Sequence, residues 1–291
     1  MPTIRTAARL LPVLLFLIGT AAARQPVPPF PKQILLPHSP DSGYVAVDGV
    51  RLWYAQFGAG PPVVLIEGGI GTSDVWGHLA PALAAHGYRA IVFDSRCQGR
   101  STCDGATLGY RLMAHDTVAL MRALHVARAA IVGYSDGGII GLELAIHEPG
   151  RVVSVFAYGA NSNPKAFYTR DNPAQDRVNA ASGAWSRRRY LQIAPAPQAF
   201  ESMARRVEAM WNTQPHLTAA ELGGIRAAVW IVDGDRDMIR RSDTDFMART
   251  IPRGSELLLP FASHYAMAEY PTLFDEAVLQ FLASTDPRPR R

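Results

Sequence analysis

The sequence carries little excess charge of either sign. Its 291 residues include 29 Lys and Arg against 25 Asp and Glu, a formal net charge of +4. Three of the arginines behind this excess, Arg288, Arg290 and Arg291, lie in the last four residues, and such a basic tail is usually solvated. The charge balance therefore gives no indication of a nucleic-acid partner. With 48% hydrophobic and 19% charged residues, the composition is that of an ordinary globular protein.

Motifs for metal or nucleotide binding are also missing. No group of cysteines and histidines has the spacing of a metal site, and no glycine-rich phosphate loop is present. There is no internal repeat, and the only biased tract is a proline-rich leader, residues 24–42. We therefore expect no metal and no cofactor.

The apolar run near the N-terminus is too short to span a membrane. It extends from Leu10 to Ile18, whereas a bilayer requires roughly 20 residues. Basic residues precede the run, and Ala21 and Ala23 form a small-x-small site after it, as in a secretory signal peptide. We predict that residues 1–23 are cleaved after Ala23, that the protein is secreted or periplasmic, and that it keeps no membrane span.

The chain has two cysteines, Cys97 and Cys103. Export would place them in an oxidising compartment, where disulfides persist. Because spacing alone does not show how close their Cα atoms lie, a short-loop disulfide and two free thiols both fit the sequence.

The order of apolar runs predicts the fold class. Two alternating runs joined by Asp48-Gly49 predict an N-terminal antiparallel hairpin. Short apolar runs then alternate with helical stretches, which predicts a mostly parallel twisted sheet with helices on both faces, an α/β fold. The predicted strands are 63–67, 90–94, 129–133, 152–160, 227–234 and 256–260, and the predicted helices lie near 75–86, 110–124, 137–147 and 271–283.

A long insertion separates the strands at 152–160 and 227–234. It is predicted to be mostly helical, with its clearest amphipathic segment at 197–211. The predicted organisation is a core of residues 43–160 and 226–284, a helical cap of residues 161–225, and a basic tail of residues 285–291.

Ser135 lies in Gly-Tyr-Ser-Asp-Gly, residues 133–137, between a predicted strand and a predicted helix. A chain that turns sharply from strand to helix is crowded beside the turn, and flanking glycines relieve the crowding. The serine would then lie near a helix N-terminus, which favours a developing negative charge. This setting predicts a nucleophile.

A serine hydroxyl is a poor nucleophile without a base, so a histidine and an orienting carboxylate are required. Asp237 follows the strand at 227–234, and His264 follows the strand at 256–260. Parallel strands bring their carboxyl ends to one edge, where Ser135 also lies. The chain order Ser, Asp, His is the one expected of a particular hydrolase fold.

These residues, together with "EGGIG" after the third strand and "DSRCQGRS" after the fourth, resemble the α/β-hydrolase family, in its capped esterase and lactonase-like branch. The resemblance runs from about Tyr44 to Leu282. A serine at the turn argues against the haloalkane dehalogenases and epoxide hydrolases of this fold, which carry aspartate there.

The resemblance implies a role for each site residue. Ser135 would be the nucleophile, His264 the general base and acid, and Asp237 the carboxylate that holds the imidazole. The backbone N–H groups of Gly69 and Asp136 would form the oxyanion hole, each worth roughly 3 kcal/mol to the transition state.

Two positions depart from the family pattern. Glu67 stands where many members have histidine, and an ionised carboxylate aimed at an oxyanion would oppose catalysis. We therefore predict that Glu67 points elsewhere and pairs with Arg96. Cys97 replaces the first glycine of the pattern Asp-x-Arg-Gly-x-Gly, which indicates an altered loop that a bond to Cys103 would tie.

Other polar residues compete for these roles. Asp233 and Asp235 lie near Asp237, but the Gly-x-x-Asp spacing favours Asp237. For Asp136 the sequence predicts a backbone contribution, with the side chain favouring the helix N-terminus. Three further histidines, on predicted helices or in the cap, are interpreted as structural: His115, His147 and His216.

The insertion carries aromatic and methionine side chains that either line an apolar acyl pocket or bury the cap against the core. They are Phe167, Tyr168, Trp185, Tyr190, Met203, Met210 and Trp211. Its three consecutive arginines, residues 187–189, attract an anionic substrate or, as in most such runs, form a solvated helix face.

The sequence thus predicts a hydrolase that cleaves a small-molecule carboxylic ester or lactone through an acyl-enzyme. One alternative is other serine chemistry on the same fold: amide or peptide hydrolysis, acyl transfer, or a cofactor-free perhydrolase reaction. Another is a ligand-binding protein that keeps the fold without turnover.

Overall fold

The computed structural model describes residues 28–31, 34–167 and 173–285, with residues 173–175 as backbone only. The predicted signal peptide and residues 286–291 of the predicted basic tail lie outside the described residues. Within the described ranges, no helix combines the length and apolar character that crossing a bilayer requires.

In the described part of the chain, eight strands form one sheet in the order β1-β2-β4-β3-β5-β6-β7-β8. β1 pairs antiparallel with β2, and β2 with β4, whereas the remaining pairs are parallel. The predicted hairpin and mostly parallel sheet are confirmed. The strands are β1 Ser42–Val47, β2 Val50–Phe57, β3 Pro62–Ile66, β4 Arg89–Phe93, β5 Ala129–Tyr134, β6 Val152–Tyr158, β7 Ala228–Gly234 and β8 Gly254–Leu259.

Helices cover both faces of the sheet. The helices of the core are α1 Leu79–Ala85, α2 Tyr110–Ala123, α3 Asp136–His147, α7 Arg241–Thr250, α8 Ala266–Glu269 and α9 Pro271–Thr285. Side chains alternate between the faces of a strand, so in β3 Val64 and Ile66 face one apolar cluster, and Val63 and Leu65 face the other. Residues of α2, α3 and α7 pack in the first cluster, and residues of α1, α8 and α9 in the second. Burial on both faces is why these strands read as continuous apolar runs.

One predicted helix, near 75–86, is divided in the structure. A 3-10 turn spans Ser73–Trp76, and α1 begins only at Leu79. Pro81 explains the break, because proline is tolerated in the first turn of a helix but disrupts the interior of a longer one.

The insertion between β6 and β7 is helical where it is described. It contains α4 Pro173–Ile193, α5 Phe200–Thr213 and α6 Ala219–Gly223, with 3-10 turns at Pro164–Ala166 and Pro197–Ala199. The predicted amphipathic segment corresponds to α5, which buries its apolar face against the core through Met203, Val207 and Met210.

Hydrogen bonds and apolar packing attach the described part of the leader to the core. The backbone N–H of Leu36 donates to Asp74 Oδ1 (3.2 Å), and Ser39 Oγ donates to the carbonyl of Gln56 (2.5 Å). The side chain of Leu36 also packs against the second apolar cluster.

Candidate active site

Ser135 forms a sharp elbow between β5 and α3. Its φ of 54° and ψ of −118° are unusual for a residue with a side chain. A Cβ at Gly133 would lie 2.1 Å from the carbonyl oxygen of Gly137, and one at Gly137 would lie 2.0 Å from that of Ile66. Only glycine fits at either flank, so the sequence motif and the strained turn have the same steric cause.

A cavity of about 320 Å³ opens beside Ser135 at the carboxyl edge of the sheet. His264 lines the same cavity, as do residues of the loop after β3, of the leader and of α4 and α5 in the insertion. The cap helices therefore cover the serine, and a substrate at Ser135 would be partly enclosed.

His264 is held from behind by Asp237. Its Nδ1 lies 2.8 Å from Asp237 Oδ1, and the two side chains are only 5% and 2% exposed. The same carboxylate oxygen accepts the backbone N–H of Ile239 (3.1 Å). Engagement of Nδ1 leaves Nε2 as the nitrogen available for proton transfer. The structure thus brings Ser135 and His264 to one cavity, with Asp237 behind the ring.

The two competing carboxylates have other surroundings. Asp233 is buried and accepts the hydroxyl of Thr244. Burial and the nearby charge of Asp237 raise the pKa of Asp233. Asp235 is exposed, 3.9 Å from Arg236. In the described contacts of His264, the carboxylate partner is Asp237.

The loop after β3 and the start of α3 meet beside the serine. A Cβ at Gly69 would lie 2.3 Å from Asp136 Oδ2 and 2.6 Å from Cζ2 of Trp211. Gly69 and Ser135 both line the cavity, and Asp136 is the first residue of α3. The two predicted oxyanion donors thus lie on adjoining backbone segments.

The side chain of Asp136 differs from the sequence expectation. Rather than serving only the N-terminus of α3, it accepts hydrogen bonds from Tyr110 Oη (2.9 Å) and Trp211 Nε1 (2.9 Å). Burial raises its pKa to about 6, although the Trp211 and Tyr110 hydrogen bonds oppose that shift. The residue after the serine thus links α2 and the cap to the elbow.

The predicted pairing of Glu67 with Arg96 is wrong. Arg96 instead holds Asp116 in a buried two-pronged ion pair (Nε to Oδ2 2.7 Å, Nη2 to Oδ1 2.6 Å). Glu67 Oε1 accepts the backbone N–H of Ser95 (2.6 Å). Burial, with a smaller effect of the charge on Asp94, raises the pKa of Glu67 to about 8. At neutral pH this carboxyl group is mostly protonated, so it does not oppose an oxyanion.

We expect Glu67→Gln to change how stability depends on pH. The folded protein holds the Glu67 proton up to about pH 8, whereas the unfolded chain releases it near 4.5, so wild-type stability falls as pH rises between these values. The glutamine variant has no proton to lose at this position. Between pH 5 and pH 8, wild type should lose on the order of 3 kcal/mol of unfolding free energy relative to the variant.

Urea unfolding of both proteins at pH 5 and pH 8 measures this difference. Glu201→Gln serves as a matched control, because that side chain is 63% exposed and its carboxylate pairs with Arg187 at the protein surface. If the unfolding free energies of wild type and Glu67→Gln changed by the same amount between pH 5 and pH 8, the expectation would be contradicted.

Comparison with known proteins identifies the family. A family model described as the alpha/beta hydrolase fold matches residues 61–212, more than half of the chain. The chain belongs to the alpha/beta hydrolase family.

Named relatives of this alpha/beta hydrolase differ in their chemistry. It is 28% identical over 255 residues to RutD of Azorhizobium caulinodans, provisionally named a carbamate hydrolase, covering 81% of this chain and 96% of that protein. It is 27% identical over 271 residues to BpoC of Mycobacterium tuberculosis, provisionally named a non-heme bromoperoxidase, covering 81% and 98%. The enol-lactonase of Burkholderia xenovorans LB400 superposes with a TM-score of 0.66 at 22% identity, covering 83% and 100%, a likeness of fold.

The loop after β4 of this alpha/beta hydrolase is closed by a Cys97–Cys103 disulfide, which settles the alternative that the sequence left open. Cys97 has a φ of 70°, in the left-handed region that glycine adopts most readily, so the backbone at this position is of the kind that suits the glycine of the family pattern. The same loop supports the one after β3, because Gln98 Oε1 accepts the N–H of Gly71 (3.0 Å).

A cap residue that the sequence reasoning missed forms hydrogen bonds with this loop. Arg206 of α5 donates to the carbonyls of Asp104 (3.0 Å) and Ala106. Its Nη1 also lies 2.7 Å from Cys103 Sγ and 3.3 Å from Cys97 Sγ. The amphipathic pattern of α5 shows only its apolar face, so it gave no signal for this polar contact.

The aromatic and methionine candidates of the insertion divide into two groups. Phe167, Trp185 and Trp211 line the cavity, and Tyr190, Met203 and Met210 pack in the first apolar cluster. Tyr168 lies outside the described residues. Some of these side chains thus line the cavity beside Ser135, and others bury the cap against the core. Cavity residues that were missed include Phe30, Ile70, Val75, Met238, Tyr265 and Met267.

The arginine run and the other histidines do not line the cavity. Arg187 pairs with Glu201 (3.2 Å), and Arg189 reaches the buried Asp74, which also binds Arg100 (3.0 Å). His115 and His147 pair with Asp48 (3.5 Å) and Glu143 (3.1 Å), respectively, and His216 follows α5.

Within residues 28–31, 34–167 and 173–285, no group of three His, Cys, Asp or Glu side chains is arranged to hold a metal ion.

Proposed function

We propose that this protein is a serine hydrolase that cleaves a small-molecule carboxylic ester, or a lactone, through an acyl-enzyme. The observation that carries the proposal is the geometry around Ser135. Ser135 lies on a strained elbow and lines the same cavity as His264, and His264 Nδ1 is hydrogen-bonded to the buried carboxylate of Asp237. Serine needs such a base to react at neutral pH.

In the proposed reaction, Ser135 Oγ attacks the ester carbonyl while its proton passes to His264 Nε2. The carbonyl oxygen becomes negative and is held by the backbone N–H groups of Gly69 and Asp136. His264 then gives the proton to the leaving alcohol oxygen as the C–O bond breaks. A water molecule then gives a proton to the same imidazole and attacks the acyl carbon. The bond from that carbon to Ser135 Oγ breaks, His264 returns the proton to Oγ, and the carboxylic acid leaves. Asp237 keeps the ring oriented and stabilises its charged form.

The cavity favours an uncharged substrate. Its walls combine aromatic and aliphatic side chains with a few hydroxyl and amide groups, and among the described residues no lysine or arginine lines it. Its acidic member, Glu67, is mostly neutral at pH 7 because its pKa is about 8. An apolar ester or lactone therefore suits the cavity better than an ionised compound.

We also propose that the protein acts outside the cytoplasm, with residues 1–23 as its signal peptide and cleavage after Ala23. Support comes from the Cys97–Cys103 disulfide, because disulfides form and persist mainly in secreted and periplasmic proteins. An N-terminal sequence of the exported protein that begins at Arg24 is the expected result.

A fluorophosphonate probe tests the proposed nucleophile. We expect peptide mass spectrometry to find the adduct on Ser135 in wild type and no adduct in Ser135→Ala. Ser182→Ala is a matched control, because Ser182 lines the same cavity on α4 and should leave labelling intact. Product analysis with ester, lactone, amide and peroxide substrates then separates the hydrolase from other serine chemistries. A folded wild type that binds esters without labelling or turnover would favour a ligand-binding protein.

A further inference from the structure

The N-terminal leader contributes a side chain to the cavity. Phe30 lines it together with Ser135 and His264, although it lies far from both along the chain. Its ring centroid is 6.0 Å from that of Trp185 and 5.5 Å from that of Tyr265. Phe30 is thus part of the wall that a substrate would meet.

The ring lies between the cap and the core. Trp185 belongs to α4 and is only 6% exposed, and Tyr265 directly follows His264. The Phe30 and Tyr265 rings meet edge to face, at 86°, which is a favourable aromatic geometry. Phe30 therefore closes the cavity where the cap helix comes near the histidine loop.

The leader is suited to holding this ring in place. Pro28, Pro29 and Pro31 surround Phe30, and each fixes its own φ. A proline-rich segment has little conformational freedom to lose, so ordering it costs less than ordering a flexible chain. The hydrogen bonds of Leu36 and Ser39 then attach the following residues to the core.

We infer that Phe30 is a specificity-determining residue, which limits the size of the apolar group that fits beside Ser135. This inference rests on the proposed ester hydrolysis. A ring in the wall takes up volume that a longer acyl or alcohol group would need, and a smaller side chain would release that volume. Because the ring belongs to the leader and not to the elbow, its removal should alter selectivity and leave the nucleophile intact.

The test compares kcat/KM across two ester series, one with a constant alcohol and acyl chains from acetyl to decanoyl, the other with a constant acetyl group and alcohols of increasing size. For Phe30→Ala we expect the ratio of long to short substrates to rise about tenfold in at least one series. Phe30→Trp enlarges the ring and should lower that ratio. Leu35→Ala is the matched control, because Leu35 lies in the same leader, is 49% exposed and does not line the cavity.

Fluorophosphonate labelling of Ser135 accompanies each measurement and separates the two proposals. Suppose that Ser135 is labelled in both Phe30→Ala and Phe30→Trp. If their ratios of long to short substrates then stay within about twofold of wild type in both series, the inference is overturned and the hydrolase proposal stands. If Phe30→Ala does not fold, Phe30→Trp alone decides. Absence of labelling in wild type would overturn the proposed function and this inference with it.

Discussion

Asp237→Asn is expected to lower kcat/KM for ester hydrolysis by about 10⁴-fold while leaving the fold intact. The carboxylate accepts a hydrogen bond from His264 Nδ1 at 2.8 Å and stabilises the imidazolium that forms when the ring takes the serine proton. Asparagine is nearly the same size but is neutral. It can also turn its NH₂ group toward Nδ1, which would place the ring proton on Nε2, where it blocks proton transfer from Ser135.

The chain offers a close control for this prediction. Asp235 lies two residues earlier in the same motif and is exposed, so Asp235→Asn should stay within about twofold of wild type. Steady-state kinetics and the rate of fluorophosphonate labelling should fall together in Asp237→Asn. Comparable losses in the two variants, or a loss below about tenfold in Asp237→Asn, would remove Asp237 from the proposed role.

Arg96→Met is expected to lower the free energy of unfolding by about 3–5 kcal/mol, because it leaves Asp116 buried and unpaired. Both side chains are almost completely buried, and Arg96 makes two parallel hydrogen bonds to the carboxylate. Burial raises the pKa of Asp116, and the Arg96 hydrogen bonds and charge oppose that shift. Urea unfolding at pH 7 measures the loss.

A double variant separates the ion pair from simple packing. Arg96→Met combined with Asp116→Leu replaces both charges with apolar side chains and should recover most of the stability, since such replacements are often close to neutral. A single variant that loses less than about 1 kcal/mol would contradict the expected cost of leaving Asp116 unpaired. A double variant no more stable than the single one would assign the loss to the other contacts of Arg96, which include an ion pair with Asp104 (2.8 Å).

The features that could be predicted from the sequence are those with a local steric cause or a periodic pattern of apolar residues. Gly133 and Gly137 are required by contacts within the elbow itself, so the motif already contained the turn. The continuous apolar run of β3 likewise reflects burial on both faces. The pairing of His264 with Asp237 could be anticipated because parallel strands bring their carboxyl ends to one edge.

Features that depend on contacts between irregular segments could not be predicted in this way. Arg96 selects Asp116, twenty positions away on α2, over Glu67 in the neighbouring loop. One signal was present, since Asp116 lies among the buried residues of α2 beside Met113 and Thr117, where a carboxylate needs a partner. Phe30 gave no signal, because the leader has neither helical nor strand periodicity.

The attachment of the cap has a consequence for how such proteins can be recombined. Among the described residues, several cap side chains bind the core; for example, Arg189 binds Asp74, Arg206 binds the disulfide loop, and Trp211 binds Asp136 at the start of α3. A foreign cap spliced in between β6 and β7 that lacks these side chains would remove one hydrogen-bond donor from Asp74 and one from Asp136. When such a cap is transplanted to change substrate preference, the core segments that it contacts should be exchanged with it.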